Sequence, residues 1–163
     1  MGRGLCRRHV RLGEKGGDRV GPTKRGKGSK LMLLVDGAGL PLSIDIDSAS
    51  PAEVTLIEPL LDEAVTPFVP DRLIYDRAAD SDPLRERLAN RNIELICPHR
   101  RGRKRPPTQD GRPLRRFRRR WIVERTISWL QAFRRLITRH EFYAFLYHSF
   151  AKLACIMIVL RRF

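Results

Sequence analysis

Two acidic side chains in this 163-residue chain stand where their surroundings call for chemistry. Asp76 closes a short apolar run, Leu73-Ile74-Tyr75, at the place where strands of α/β sheets present functional groups. Glu124 is the only acid between Gly111 and His140, a segment holding ten arginines. Carboxylates gathered on a basic surface are what a nuclease-type centre requires. Their oxygens hold Mg²⁺, and the metal activates a hydroxyl or water while neutralising charge on a phosphate. Simpler roles compete. Asp76 also fits an ordinary strand-end turn. Glu124 also fits an ion pair with Arg120 at i−4, a contact worth only about 0.3–0.5 kcal/mol, and spacing admits either role. Asp80 and Asp82 read as a solvated acid and a helix N-cap. Cys6, Cys97 and Cys155 lie far apart without CxxC spacing, which excludes a disulfide framework or a cysteine zinc site and suits a reducing cytoplasm.

A sheet with helices on it must position these residues. The apolar run 31–35 and the alternating run 40–46, with Leu42, Ile44 and Ile46 on one face, flank Asp36-Gly37-Ala38-Gly39 and predict a β-hairpin. Ser50-Pro51-Ala52-Glu53 starts a helix running to about Ala64, with Val54, Ile57, Leu60 and Leu61 inward. A strand over 72–75, a helix over 84–90 opened by Asp82-Pro83, and a strand over 93–96 follow. Strands separated by helices need crossovers, hence an α/β fold with a mixed sheet. Residues 115–135 lack Pro and Gly and predict one long amphipathic helix. Its apolar half holds Ile122, Val123, Ile127, Trp129, Leu130 and Phe133 and runs on into Leu136 and Ile137, with Glu124 on the other half. A buried apolar helix over 142–160 closes the chain. The expected organisation is a disordered basic N-terminus at 1–17, one core over 18–163, and a basic linker at 99–111 within it.

Lys+Arg of 33 against Asp+Glu of 18 gives a net charge of +15 and a pI near 11.1. That excess favours a polyanionic partner, nucleic acid above a membrane surface or a ribosome, because neutralising phosphates releases counterions. Residues 1–11 contain no apolar run of the signal-peptide kind. The stretch 142–160 is long enough to span a bilayer, but Lys152 inside it would cost about 2.5–3.5 kcal/mol. Neither membrane association nor a small-molecule substrate is expected.

Four blocks carry a family resemblance: Leu34-Val35-Asp36-Gly37-Ala38-Gly39-Leu40-Pro41-Leu42, Leu73-Ile74-Tyr75-Asp76-Arg77-Ala78-Ala79-Asp80-Ser81-Asp82, Arg120-Trp121-Ile122-Val123-Glu124-Arg125-Thr126-Ile127 and Phe133-Arg134-Arg135-Leu136. In this order the chain resembles the DDE transposases of bacterial insertion sequences, the branch typed by insertion sequences four and five. The resemblance implies a ribonuclease-H-like core, two divalent metals (Mg²⁺ or Mn²⁺), and cutting and joining of DNA strands by phosphoryl transfer during transposition. It implies transposon ends and target DNA as partners, a homodimer as one assembly, and a cytoplasmic, nucleoid-associated location. Asp76 takes the place of the second catalytic acid and Glu124 that of the glutamate, both as metal ligands. Around the glutamate, Arg120 matches the family's arginine, while Phe117 and Gln131 replace its tyrosine and lysine. The DNA-binding candidates are Lys24, Arg25, Lys27, Lys30, Arg115, Arg116, Arg118, Arg119, Arg120, Arg125, Arg134 and Arg135.

The chain departs from the family at its start. There the first catalytic aspartate belongs on a strand just upstream of a Gly-Gly and basic loop, which Gly16-Gly17 and residues 23–30 resemble. Residues 1–15 hold no Asp and do not read as a strand. The expectation is therefore a truncated or frameshifted copy lacking a well-formed first strand. Its alternative is a catalytically inactive, DNA-binding remnant.

Overall fold

The computed structural model describes residues 3–12, 17–23, 26–65 and 69–162, with backbone alone at 3 and 7–12. Six strands, β1 (Arg3–Leu12), β2 (Gly21–Thr23), β3 (Gly26–Val35), β4 (Pro41–Ser48), β5 (Arg72–Ile74) and β6 (Glu94–Ile96), form one sheet. Its order is β2-β3-β1-β5-β6, with β4 also pairing β3. β1–β3, β2–β3 and β3–β4 are antiparallel, whereas β1–β5 and β5–β6 are parallel. Five α-helices accompany it: α1 (Ile57–Asp62), α2 (Asp82–Asn90), α3 (Gly111–Leu114), α4 (Trp121–Gln131) and α5 (Ala144–Leu160). This is the mixed, helix-flanked sheet that was expected.

The first strand corrects the sequence reading. Arg3–Leu12 is neither disordered nor missing; it is the central strand of the sheet. It pairs β3 from Leu5↔Val35 to Leu12↔Gly28, and pairs β5 from Arg3↔Arg72 to Leu5↔Ile74. The ladder is made of backbone groups, so it tolerates a sequence dominated by arginine. Of its apolar residues, Leu5 enters one core and Cys6 the other. These two described side chains are adjacent in sequence, so they face opposite layers.

The sheet separates two apolar layers. Leu5, Leu31, Leu33, Val35, Ile44, Ile46 and Ile74 pack with the buried stripes of α4 and α5. Cys6, Met32, Leu34, Leu73, Tyr75 and Leu95 pack with Ile57, Leu60 and Leu61 of α1 and Leu84 and Leu88 of α2. The hairpin forms as expected, but Leu42 leaves its predicted face. Leu34 pairs Ser43 while Val35 pairs Pro41, so Leu42 is an inserted residue. Such a bulge shifts alternation by one, and Leu42 packs with the second layer instead of with Ile44 and Ile46.

Three helical expectations change. The predicted helix over 115–135 is broken into a 3-10 helix (Arg115–Arg120), α4, and a 3-10 turn (Arg134–Leu136). Five of the six residues of Arg115–Arg120 are arginine, which leaves no apolar stripe for tertiary packing to hold in α geometry. An extended Phe133 backbone precedes the last turn. The helix from Ser50 opens as a 3-10 turn (Glu53–Thr55), and α1 begins only at Ile57. Finally, α5 is buried along one stripe, through Ala144, Tyr147, Ala151, Ala154, Cys155 and Ile158, while Leu153, Ile156 and Leu160 are exposed. Among the described residues, no helix is long and apolar enough to cross a membrane.

Arg139, 1% exposed, fastens the start of α5 to the rest. Its guanidinium donates to the carbonyls of Asp18, Arg19, Glu141 and Phe142 and to Ser29 Oγ, and lies 3.3 Å from Asp18 Oδ1. A buried cation is tolerable only when its donors are satisfied in this way. The central position of β1 makes a measurable prediction. Leu5→Ala should cost about 2–5 kcal/mol in urea unfolding, the range for a truncated core leucine. An unchanged midpoint would mean that residues 3–12 do not belong to the cooperative unit.

Candidate active site and nucleic-acid interface

Asp76 follows β5 directly. Tyr75 still belongs to the sheet, its N–H donating to Ile96 O at 3.0 Å, and its ring turns into the second layer. There its hydroxyl donates to Glu53 Oε2 at 2.7 Å, and burial pushes the phenol far above its ordinary pKa, so it stays neutral. With Tyr75 fixed, the backbone delivers Asp76 half-buried at the strand end. Its Oδ1 accepts from Ala78 N at 2.7 Å and caps the 3-10 turn Arg77–Ala79. This is the turn-residue geometry, and it uses one carboxylate oxygen.

Glu124 lies on α4, with 37% of its side chain exposed, and its Oε1 is 2.9 Å from Arg120 Nε. The ion pair is therefore formed. Arg120 is also held over the Phe117 ring at 5.0 Å. The helix is locked to the β3–β4 turn: Thr126 Oγ1 donates to Gly39 O at 2.7 Å and Arg125 Nη2 to Ala38 O at 2.6 Å. Gly39 has φ +91°, and a Cβ there would meet Arg125 Nη2 at 2.9 Å. Only glycine combines that backbone with so close an approach. Asp36 completes the turn by accepting from Ala38 N and Leu40 N. α4 packs against β1 and β3, on the face that carries Ile74 of β5.

The cationic candidates divide. Lys24 and Arg25 lie outside the described residues. Lys27, Arg115, Arg118, Arg119, Arg134 and Arg135 are exposed, and Arg116 and Arg120 are half-buried. Two others depart from the expected DNA-facing role. Lys30 is 1% exposed and its Nζ donates to Pro51 O, so it holds the segment after β4. Arg125 is sandwiched between Trp121 and Trp129, at 4.9 and 4.8 Å from their ring centroids, besides its bond to Ala38. Both are structural cations. Arg135 lies 3.6 Å from Glu141 and 5.4 Å over Phe150, yet remains on the surface.

The residue that sequence reasoning most misjudged is Asp80. Far from solvated, its side chain is 3% exposed. Oδ1 accepts from Arg85 Nη2 at 3.1 Å and from His99 Nδ1 at 2.9 Å, while Oδ2 accepts from Arg100 N at 2.8 Å. Thr108 N donates to His99 Nε2, so the proton of the neutral ring sits on Nδ1, facing Asp80. Burial alone would raise the pKa of Asp80, but the bonds from Arg100, His99 and Arg85 outweigh it and hold the carboxyl at about 2. Asp82 is the first residue of α2 rather than its N-cap, a place taken by Ser81. It accepts from Arg103 Nη2 at 2.8 and 3.0 Å and from Arg105 Nη1 at 3.1 Å, bonds that lower its pKa. Residues 99–111, expected as a basic linker, are thereby strapped across β6 and the start of α2. The available signal was a pair of acids, Asp80 and Asp82, facing an otherwise acid-free run of Arg100, Arg101, Arg103 and Arg105.

Comparison with known proteins places the sequence in a family. The sequence matches the family described as "Transposase DDE domain" over residues 8–159. The chain belongs to the DDE transposase family. It is 36% identical over 146 residues to a Burkholderia cepacia protein named "Putative transposase for insertion sequence element IS402". That match takes in 84% of this chain and 65% of the relative's length, so the chain spans just under two thirds of that relative. Among solved structures, a piggyBac transposase in a synaptic complex with hairpin DNA aligns over 64% of this chain and 24% of its own. The TM-score is 0.48 at 14% identity, a distant likeness.

The Asp80 cluster sets the acid behaviour of the fold. A carboxyl that titrates at about 2 when folded and near 3.9 when unfolded adds stability in full above about pH 4 and loses it as pH falls through 2. Asp80→Asn should cost of order 2 kcal/mol at neutral pH and flatten the stability curve between pH 4 and 2. Urea midpoints measured across that range check it, and parallel curves for the two proteins would refute the assignment.

Proposed function

We propose that this chain acts on DNA as a DDE-type transposase, with Asp76 and Glu124 as metal-binding carboxylates and the exposed arginines before α4 as its phosphate grip. The observation that supports this most is structural. Asp76 stands at the C-terminal end of a strand parallel to the central strand, and the helix carrying Glu124 packs on the face to which that strand contributes Ile74. DDE transposases generally use divalent metal ions, and an all-oxygen donor set suits Mg²⁺ or Mn²⁺. Such an ion would supply charge neutralisation at the scissile phosphate and activation of the attacking hydroxyl. The chain's own contribution is orientation: the bond from Ala78 N fixes one oxygen of Asp76, and Arg120 fixes Oε1 of Glu124. Arg115, Arg118 and Arg119 lie exposed along the 3-10 helix that leads into α4, where they can neutralise successive phosphates.

One observation favours a second reading, in which the chain holds DNA but cuts it poorly. The parallel register ends at Leu5↔Ile74, and Arg7 on β1 and Asp76 after β5 each lie two residues beyond it in sequence. The resemblance assigns the first catalytic aspartate to this strand. A cationic residue type at that level opposes the gathering of divalent cations.

Mn²⁺-dependent nicking of duplex DNA separates the readings. Activity is expected to fall at least about tenfold with Asp76→Asn and with Glu124→Gln, and to rise with Arg7→Asp; nicking that survives both acid substitutions would remove these residues from the chemistry. For the grip, Arg118→Ala/Arg119→Ala should reduce the slope of log K against log salt by about 2, close to one unit per lost phosphate contact. A slope unchanged in that double variant would place the DNA elsewhere.

A further inference from the structure

We propose that Asp45, Glu63 and His148 form a second cation site, separate from Asp76 and Glu124, that takes a Zn²⁺-class divalent ion and pins the open edge of the sheet. The three residues come from different elements: Asp45 from β4, Glu63 from just past α1, and His148 from α5. One ligand atom from each lies within 4.8 Å of the others.

The fold converges on this point for identifiable reasons. Among the described strands, β4 pairs only with β3, so its outer edge is open. The chain leaving α1 runs beside that edge, with Val65 N donating to Leu42 O at 3.0 Å. From the other layer, His148 Nε2 reaches Ile44 O at 2.6 Å. A ring nitrogen facing a carbonyl must donate, so Nε2 carries the proton and Nδ1 of the neutral ring presents a lone pair. A backbone carbonyl that fixes one imidazole nitrogen while the other binds metal is the usual arrangement around metal-ligating histidines. On Asp45, the described contacts, from Ile46 N at 2.7 Å and Arg19 Nη1 at 3.6 Å, both fall on Oδ1.

Ser43 points independently to a ligand. Its residue is 7% exposed and its Oγ is buried with no hydrogen-bond partner. Ser43 and Asp45 pair Leu34 and Met32, two residues of the second layer, and so share that face of β4. Ser43 and Glu63 line the same groove of about 390 Å³ between β4 and α5. A buried hydroxyl left unpaired is destabilising, and a water in an open coordination position of the bound ion would satisfy it. One imidazole nitrogen with two carboxylate oxygens is a donor set for Zn²⁺ rather than Mg²⁺, and the two negative charges balance the ion. Lys152 lines the groove as well, a singly charged competitor that cannot coordinate.

Thermal unfolding of the full chain with ZnCl₂ or MgCl₂ tests the site, using the parent, Asp76→Asn/Glu124→Gln, His148→Ala and Glu63→Gln. Zinc should stabilise the parent and Asp76→Asn/Glu124→Gln equally, and magnesium should have no effect at the same concentrations. His148→Ala and Glu63→Gln should each weaken zinc binding at least about tenfold. Because His148→Ala also deletes the bond to Ile44, Co²⁺ titration of Glu63→Gln provides a second measure. The visible absorption of bound Co²⁺ should appear in the parent and be lost from this variant while its far-UV circular dichroism is unchanged. No response of the parent to zinc, or full zinc stabilisation of His148→Ala, overturns the proposal. Stabilisation lost only in Asp76→Asn/Glu124→Gln also overturns it and assigns the ion to the proposed catalytic carboxylates instead.

Discussion

The structure depends on the two-sided hydrogen-bond ladder of β1. Antiparallel to β3 and parallel to β5, this strand joins the hairpin half of the sheet to the half that carries Asp76. A parallel pair must be closed by a long connection, and here β2, β3, β4 and α1 all lie between the two partners. The strand end bearing Asp76 is therefore positioned by contacts far away in sequence. A ladder of backbone groups is indifferent to side-chain chemistry, which lets so basic a segment occupy the centre of the fold.

Charge imposes the second constraint. With 33 basic and 18 acidic residues, the folded chain repels itself, and acids placed where they touch several cations offset most repulsion per carboxylate. Asp80 meets Arg85, His99 and the backbone of Arg100, while Asp82 meets Arg103 and Arg105. The four of these contacts that come from residues 99–111 turn that segment from a repelling run into a strap. Arg125 is held in place by a different device. Two indole faces and the carbonyl of Ala38 hold it.

How much of this was legible follows from the same physics. The strands with apolar runs, β3 to β6, were readable because burial on one or both faces leaves a pattern in the residues. β1 was harder to read: four of its ten residues are arginine, and Leu5 and Cys6, adjacent in sequence, enter opposite cores. The helix over 115–135 was over-read, because the absence of Pro and Gly permits α geometry without supplying a face to bury. Asp76 and Glu124 were legible as chemical types in suggestive places. The partners of Asp80 were not, as charged side chains pair through space at separations of five to twenty residues with no periodicity to reveal them. Lys30 was misread for a related reason: a lysine amid glycines and lysines looks solvated until Pro51 folds back over it.

The Arg120–Glu124 contact shows why an ion pair and a metal ligand need not be rival roles. An exposed i,i+4 pair with the base first adds little stability, so replacing it by a cation bond sacrifices little. Arg120 lies over the Phe117 ring at 5.0 Å, which gives its guanidinium a resting place when the carboxylate turns elsewhere. On the proposed function, the arginine would screen Glu124 from the negative potential of a DNA strand until an ion takes its place. On that same reading, the displaced arginine would pass its charge to a phosphate. A side chain poised between these partners explains how one carboxylate persists on a surface otherwise built from guanidinium groups.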